Sequence, residues 1–329
     1  MKKIIMGCTT VILVLIGVIL YQNNFDMKLE DEVLETKEGK LQLEYALPQK
    51  KTKEKPGIIF FIHGDGPTTK NADEGYYPAW EVLAKENYIS VSWDKRGVGN
   101  SEGNWLSQNM VDREKEANDV IEWALTHFDI DKKKVGVWGA SQGGWVIPKV
   151  LNHNNKVTFV IGVAPAVNWL RQGRYNTIAA MKEEGKTETE IEAKLKKEEI
   201  VNNYLEKDDY DGYLESKCDD EPLSKERWDF IVKNRSLDVT NDLKKITKPY
   251  HLIIGDADIN VDVSETEKIY KEELPGDSLT VHHVKNGTHQ MLKKRHQTTH
   301  TGTVLEAIWN PRQIFSPDYF KALKESLPN

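Results

Sequence analysis

The sequence predicts an α/β fold: a mostly parallel central sheet flanked by helices, with a helical segment inserted between two of its strands. Three observations carry this. Short apolar, β-rich runs alternate with helical runs from Gly57 to Val284. One of them, Val135-Gly136-Val137-Trp138, runs through Gly139-Ala140-Ser141-Gln142-Gly143 directly into a helical stretch, the order of a strained turn that exposes a serine above a sheet. Between Val163 and Pro249, about 80 residues pass without a convincing strand, far more than an ordinary connection requires.

Residues 1–25 form a unit of their own. Lys2 and Lys3 precede a run from Ile4 to Asn24 that carries no charge, and about 20 such residues can span a bilayer. The lysines place the N-terminus on the cytoplasmic side. No small-x-small cleavage site follows the run. The expectation is therefore an uncleaved membrane anchor with the remaining chain outside the cytoplasm, and secretion after signal cleavage is the alternative. Residues 25–32 read as a polar tether. Residues 33–48 read as a hairpin, because Leu41, Leu43, Tyr45 and Leu47 alternate with Gln42, Glu44 and Ala46 beyond a turn at Glu38-Gly39-Lys40. Residues 50–56 make a basic, solvated loop.

From there the pattern predicts strands at 57–62, 88–93, 134–138, 157–163, 250–254 and 278–284, with helices at 79–86, 112–126, 145–151 and 263–273. The core divides into a first part, 26–165, and a second, 249–329. Residues 166–248 between them form a helical lid. Its stretch 181–205 is dense in Glu and Lys, with Ile191, Leu195, Ile200 and Tyr204 at helical spacing. It leaves the sheet at a strand's C-terminal end, where active-site loops gather.

Composition narrows the function. A net charge of −7 with scattered Lys and Arg offers no footprint for nucleic acid. The two cysteines, Cys8 and Cys218, make neither a Cys-x-x-Cys pair nor a disulfide framework, and His-Glu-x-x-His is absent from the sequence. There is no Walker A motif or Gly-x-Gly-x-x-Gly, so no metal or organic cofactor is expected.

The chemistry gathers at strand ends. A Cβ at Gly139 or Gly143 would strike a neighbouring strand or helix, and Oγ of Ser141 then points out as a nucleophile. The apolar run 58–62 ends in His63-Gly64-Asp65-Gly66-Pro67, where the backbone can turn an N–H toward a carbonyl oxygen. The N–H of Asp65, by its place after His-Gly, and that of Gln142, which follows the serine, would form a two-donor oxyanion hole. The Asp65 carboxylate should then point away from the developing charge. His63 is expected to brace its loop, and Asp94 is expected to pair with Arg96 to fix the next one.

Through His63-Gly64-x-Gly66-Pro67, Asp94-x-Arg96-Gly97-x-Gly99-x-Ser101 and Gly139-x-Ser141-x-Gly143-Gly144, the chain from about residue 56 to 310 resembles the α/β-hydrolase family. In detail it resembles the esterase and serine-aminopeptidase-like branch with an inserted helical cap. That resemblance implies an acid in a Gly-x-x-Asp pattern after a late strand, met by Gly255-Asp256-Ala257-Asp258, and a base near the C-terminus, met by His289. The order Ser141, Asp258, His289 is that of the fold. Asp256 is expected to accept N–H bonds of its own turn and Asp262 to cap a helix, which leaves Asp258 free to serve. Among the other histidines, His282 and His283 lie within a strand, and His296 and His300 are expected at the surface.

The resemblance implies acyl transfer through Ser141, His289 and Asp258, acting on a small-molecule ester or a peptide-like substrate. A small-acyl carboxylic ester demands least of the pocket. An aminopeptidase, amidase or thioesterase on the same triad is second. The third reading, of another class, is an inactive surface binding protein with a hydrolase fold.

Overall fold

The computed structural model describes residues 13–50 and 52–328. The first twelve residues of the expected anchor therefore lie outside the described residues. Residues 13–22 are helical and are labelled α1. Among the described residues, no helix is long and apolar enough to cross a membrane.

Eight strands form one sheet in the order β1-β2-β4-β3-β5-β6-β7-β8. The hairpin strands β1 (Met27–Thr36) and β2 (Gly39–Pro48) are antiparallel, and β2 meets β4 (Tyr88–Trp93) antiparallel. The remainder, β3 (Gly57–Ile62), β5 (Val135–Ala140), β6 (Phe159–Val163), β7 (Tyr250–Gly255) and β8 (Leu279–Val284), pair in parallel. β3 and β4 are buried at every position, as parallel strands covered by helices on both faces must be. On one face α3 (Met110–His127), α4 (Gly143–His153) and α10 (Val263–Glu273) close a core around Phe60, Val137 and Leu252. On the other, α2 (Tyr77–Lys85) and the C-terminal helix α12 (Pro317–Glu325) close a core around Phe61, Trp80 and Trp138.

One expectation fails at the start of the sheet. Residues 27–32 are no tether but part of β1, paired with β2 from Met27↔Pro48 to Thr36↔Gly39. An edge strand carries charges that discourage further pairing, and Lys28, Glu30, Asp31 and Glu32 give it the composition of a linker.

Between β6 and β7 stand five helices: α5 (Trp169–Glu183), α6 (Glu188–Lys207), α7 (Tyr210–Ser216), α8 (Lys225–Asn234) and α9 (Thr240–Leu243). The helical stretch expected at 181–205 is divided. α5 stops before Gly185, at φ +74°, and α6 starts on a reciprocal cap between Thr187 and Glu190. The insertion has a small core of its own, Leu205, Tyr213 and Trp228. Its two ends meet: Trp169 N donates to Leu237 O at 3.0 Å, Val239 N donates to Val167 O at 3.1 Å, and a β-bridge joins Asn168 to Asp238.

Candidate active site

β5 delivers Ser141 at φ +51°, a left-handed conformation rare outside glycine. The strained turn is held by Ser141 N donating to Val163 O (3.1 Å) and by Gly144 N and Ala166 N both donating to Ser141 O (2.9 Å). A Cβ at Gly143 would approach Ile62 O to 2.7 Å, and one at Gly139 would meet Ile147 Cδ1 at 2.6 Å. The first contact is with backbone that cannot yield, so the turn demands glycine there.

The β3 exit lies against this turn, since a Cβ on Gly64 would come within 3.4 Å of Ser141 Cβ. His63 is buried behind it, with Nε2 2.6 Å from Trp93 O and Nδ1 2.8 Å from Tyr76 Oη. Burial pushes its pKa down to about 3, so the ring is neutral and acts as a brace, as expected. Among the described residues, the N–H groups of Asp65 and Gln142 donate to no protein acceptor. The Asp65 carboxylate is engaged elsewhere. Arg227 of α8 holds it through two bonds, Nη1–Oδ1 at 3.1 Å and Nη2–Oδ2 at 2.6 Å, and Gln142 Nε2 donates to Oδ1 at 3.1 Å. Burial would raise the pKa of this carboxyl, but the bonds and charge of Arg227 outweigh it and hold the group ionised.

Two buried basic side chains that the sequence reading missed shape the same loop. Lys95 Nζ donates to Gly64 O at 2.6 Å and to Gly66 O at 2.9 Å. Burial depresses its pKa well below the ordinary lysine value. Gly64 C=O and Asp65 N–H belong to one planar trans peptide and point in opposite directions, so fixing the carbonyl aims the N–H. Arg113 of α3 donates to His63 O at 2.6 Å and to Gln142 Oε1 at 2.5 Å, which ties the first loop to the residue after the serine. A lysine two residues beyond the end of an apolar strand was the available signal for Lys95. Nothing local marked Arg113 or Arg227.

The acid and base loops meet beyond β7 and β8. Ala257 N donates to Gly287 O at 2.9 Å, and His289 Nδ1 stands 2.8 Å from Asp258 Oδ2. The Asp258 side chain is 1% exposed and that of His289 16%. Asp258 Oδ1 also accepts the N–H groups of Asn260 (2.7 Å) and Val261 (2.9 Å). The structure thus brings Asp258 and His289 together. Ser141 Oγ enters no side-chain hydrogen bond among the described residues, a looseness common at unliganded nucleophiles.

Three expectations about neighbours are corrected. Asp94 does not pair with Arg96: it accepts N–H bonds from Lys70 (2.6 Å) and Asn100 (3.0 Å), while buried Arg96 finds the buried carboxylate of Glu116 at 3.0 Å. A buried guanidinium requires an anion, and backbone donors had already filled Asp94. Asp256 does not bond its own turn but faces His283 Nδ1 at 3.3 Å, because Asp258 takes the turn's N–H groups. His296 is buried rather than exposed, bonded to Thr303 Oγ1 at 3.1 Å by a helix that folds back over it. The side chain of His300 lies outside the described residues. Asp262 caps α10 as expected, accepting from Glu265 N at 3.0 Å.

The insertion reaches both loops. Besides Arg227 on Asp65, Tyr175 Oη donates to Asp258 O and Asn176 Nδ2 to Ile259 O, each at 3.0 Å.

The sheet order, the strained serine turn and the helices on both faces define an α/β serine hydrolase. A family model described as X-Pro dipeptidyl-peptidase (S15 family) matches residues 38–291, and the chain belongs to that family. A probable dipeptidyl-aminopeptidase B of Penicillium rubens is 32% identical over 137 residues, which is 39% of this chain and 15% of that protein. Among solved structures, an esterase of Pyrococcus furiosus superposes with a TM-score of 0.56 at 19% identity, covering 92% of each chain. The acylaminoacyl peptidase of Pyrococcus horikoshii gives 0.58 at 18% identity, over 94% of this chain and 44% of that one. These structural likenesses concern the fold.

Proposed function

We propose that the chain hydrolyses small-acyl carboxylic esters through an acyl-enzyme. Ser141 Oγ attacks the ester carbonyl as His289 takes its proton, and the N–H groups of Asp65 and Gln142 receive the oxyanion. His289 then gives the proton to the leaving alkoxide. Water, deprotonated by His289, attacks the acyl-serine, and the acid is released as His289 returns the proton to Ser141 Oγ. Asp258 fixes the imidazole tautomer and stabilises its charged form. The helical insertion acts as a lid over the acyl site.

The observation that carries this reading is the Arg227–Asp65 pair. A substrate α-ammonium on that side would have to displace a guanidinium, whereas a neutral ester meets no such competition. A peptidase is the second reading, favoured by the family match over residues 38–291 and by the curated relative's name. Comparing nitrophenyl esters with aminoacyl and Xaa-Pro nitroanilides separates the two, and higher kcat/KM on the anilides would overturn the first. On the better substrate, Ser141→Ala is expected to lower turnover by about 10³-fold or more and to abolish fluorophosphonate labelling. Retained activity would remove Ser141 from the mechanism.

Residues 1–25 are proposed to anchor the protein in the cell membrane, with the catalytic domain outside the cytoplasm. The uncharged run from Ile4 to Asn24 supports this. Fractionation of cells expressing the full chain tests it, and mature protein in the medium would mean cleavage instead.

A further inference from the structure

The helix between the His289 loop and α12 is inside out. In α11 (His300–Trp309) the polar Thr303 and Glu306 turn inward, Thr303 toward His296 and Glu306 toward Arg295 and His296. The apolar side chains face outward: Val304 is 45% exposed, Leu305 64%, Ile308 53% and Trp309 42%. These positions lie on one face, since residues three and four apart are neighbours on a helix. Contiguous apolar surface of this kind marks a place that something other than water covers.

The N-terminal segment of the same chain ends beside it. α1 runs up to this helix, and Asn23 Nδ2 donates to Ile308 O at 2.8 Å. Arg312, just beyond α11, clamps the same junction: it bonds Gln22 O and Asn24 O, lies 4.3 Å over the Phe25 ring and pairs with Glu81 at 2.6 Å. Leu13, Val14, Leu15, Ile16, Leu20 and Tyr21 of α1 are themselves exposed. The end of the apolar run is therefore fixed beside the last turn of α11. Tyr21 and Trp309 are the aromatic types that settle at the headgroup level of a bilayer. Lys294, in the turn before α11, is exposed where it could meet anionic headgroups.

We infer that the outer face of α11 is a lipid-contacting surface that lies in the interfacial layer of the bilayer beside the point where the N-terminal segment enters it. This rests on the reading of residues 1–25 as an anchor and goes beyond it. A tether alone would let the catalytic domain tumble, while a second contact fixes which side of it faces the membrane. Ten residues are too few to cross, so the helix lies flat.

The test uses the full chain reconstituted in phosphatidylcholine–phosphatidylglycerol vesicles, with and without brominated acyl chains. Tryptophan quenching is compared between wild type and Trp309→Phe. Wild type is expected to lose emission that the Phe variant lacks, and the Leu305→Glu/Ile308→Glu variant to lose that quenchable component while still floating with vesicles and keeping its turnover of a soluble ester. Flotation without quenching of Trp309 would overturn the face and leave the anchor standing. Failure to float would overturn both. Protection of Trp309 that grows with protein concentration in the absence of lipid would assign the face to a second copy of the chain and overturn the inference.

Discussion

Lys95 is the residue whose role differs most from what its type suggests. A buried lysine usually answers a carboxylate, yet its nearest partners are the carbonyls of Gly64 and Gly66. Its work is to fix the peptide plane that presents Asp65 N–H. Lys95→Met keeps the volume and removes the donor, so kcat is expected to fall about 10–100-fold with KM nearly unchanged, somewhat less than the loss of an oxyanion donor itself. A merely structural lysine would instead lower the melting temperature and leave kcat of the folded fraction intact. Steady-state kinetics and a melt on the same preparation distinguish these. The aspartates of the acid loop give a second comparison. Asp258→Asn is expected to cost roughly 10⁴-fold in turnover through the wrong imidazole tautomer. Asp256→Asn touches only the exposed His283 and is expected to change stability by less than about 0.5 kcal/mol and turnover hardly at all. A catalytically dead Asp256→Asn would transfer the acid role.

At the scale of elements, the insertion is tied to the site by three short links: Arg227 to Asp65, Tyr175 to Asp258 O and Asn176 to Ile259 O. The first is the one that opening α8 would break. Arg227→Ala is expected to free α8 and admit longer acyl chains, raising their kcat/KM relative to acetyl by several-fold, while Asp65 loses the cation that offsets its charge near the oxyanion and kcat falls for every ester. A kcat/KM profile across acyl lengths that keeps its shape would show that the link does not gate access. These ties also show where the sequence was legible. The buried strands and the serine turn could be read because each signal is local: unbroken apolar runs, paired glycines, a helix starting at once. The first part of β1, residues 27–32, could not, since its charges are those of an edge, and an edge exists only once the sheet is assembled. Arg227 and Arg113 act across 162 and 29 residues of sequence, and no nearby pattern announces them. The Asp258–His289 contact was reached through a family motif rather than through spacing, and the outward apolar face of α11 becomes visible only when the helix has folded over His296.

Across the whole molecule, the chain's beginning and end are joined by one buried carboxylate. Glu81 in α2 accepts from Asp26 N at 3.0 Å and from the Arg312 guanidinium at 2.6 Å, and pairs with Lys85. Burial alone would raise its pKa, yet these partners hold it down at about 2, below the ordinary 4.5. A carboxyl depressed on folding contributes stability that is complete above its unfolded value and is lost as pH falls toward the folded one. The junction of α1, α2 and the C-terminal segment is therefore expected to weaken between about pH 5 and pH 2, by up to roughly 3 kcal/mol. Thermal melts of wild type against Glu81→Gln across that range check the sign: the difference should shrink on acidification. A constant difference would mean that Glu81 acts by packing alone.

The paired ends of the insertion have a consequence for heredity. Where a segment leaves and re-enters a sheet through adjacent, bridged residues such as Asn168 and Asp238, the continuity of the sheet rests on that bridge, and the segment adds its links to Asp65, Asp258 and Ile259 and the packing of Trp169 and Phe230 on the main core. Lengthening what lies between adds loop entropy only logarithmically, and a segment with its own core brings its own cohesion. Residues 169–237 thus behave as a cassette. A recombination that shortened, enlarged or exchanged it would leave the strands and loops that carry Ser141, Asp258 and His289 in place while replacing the contacts that the segment makes to Asp65, Asp258 and Ile259.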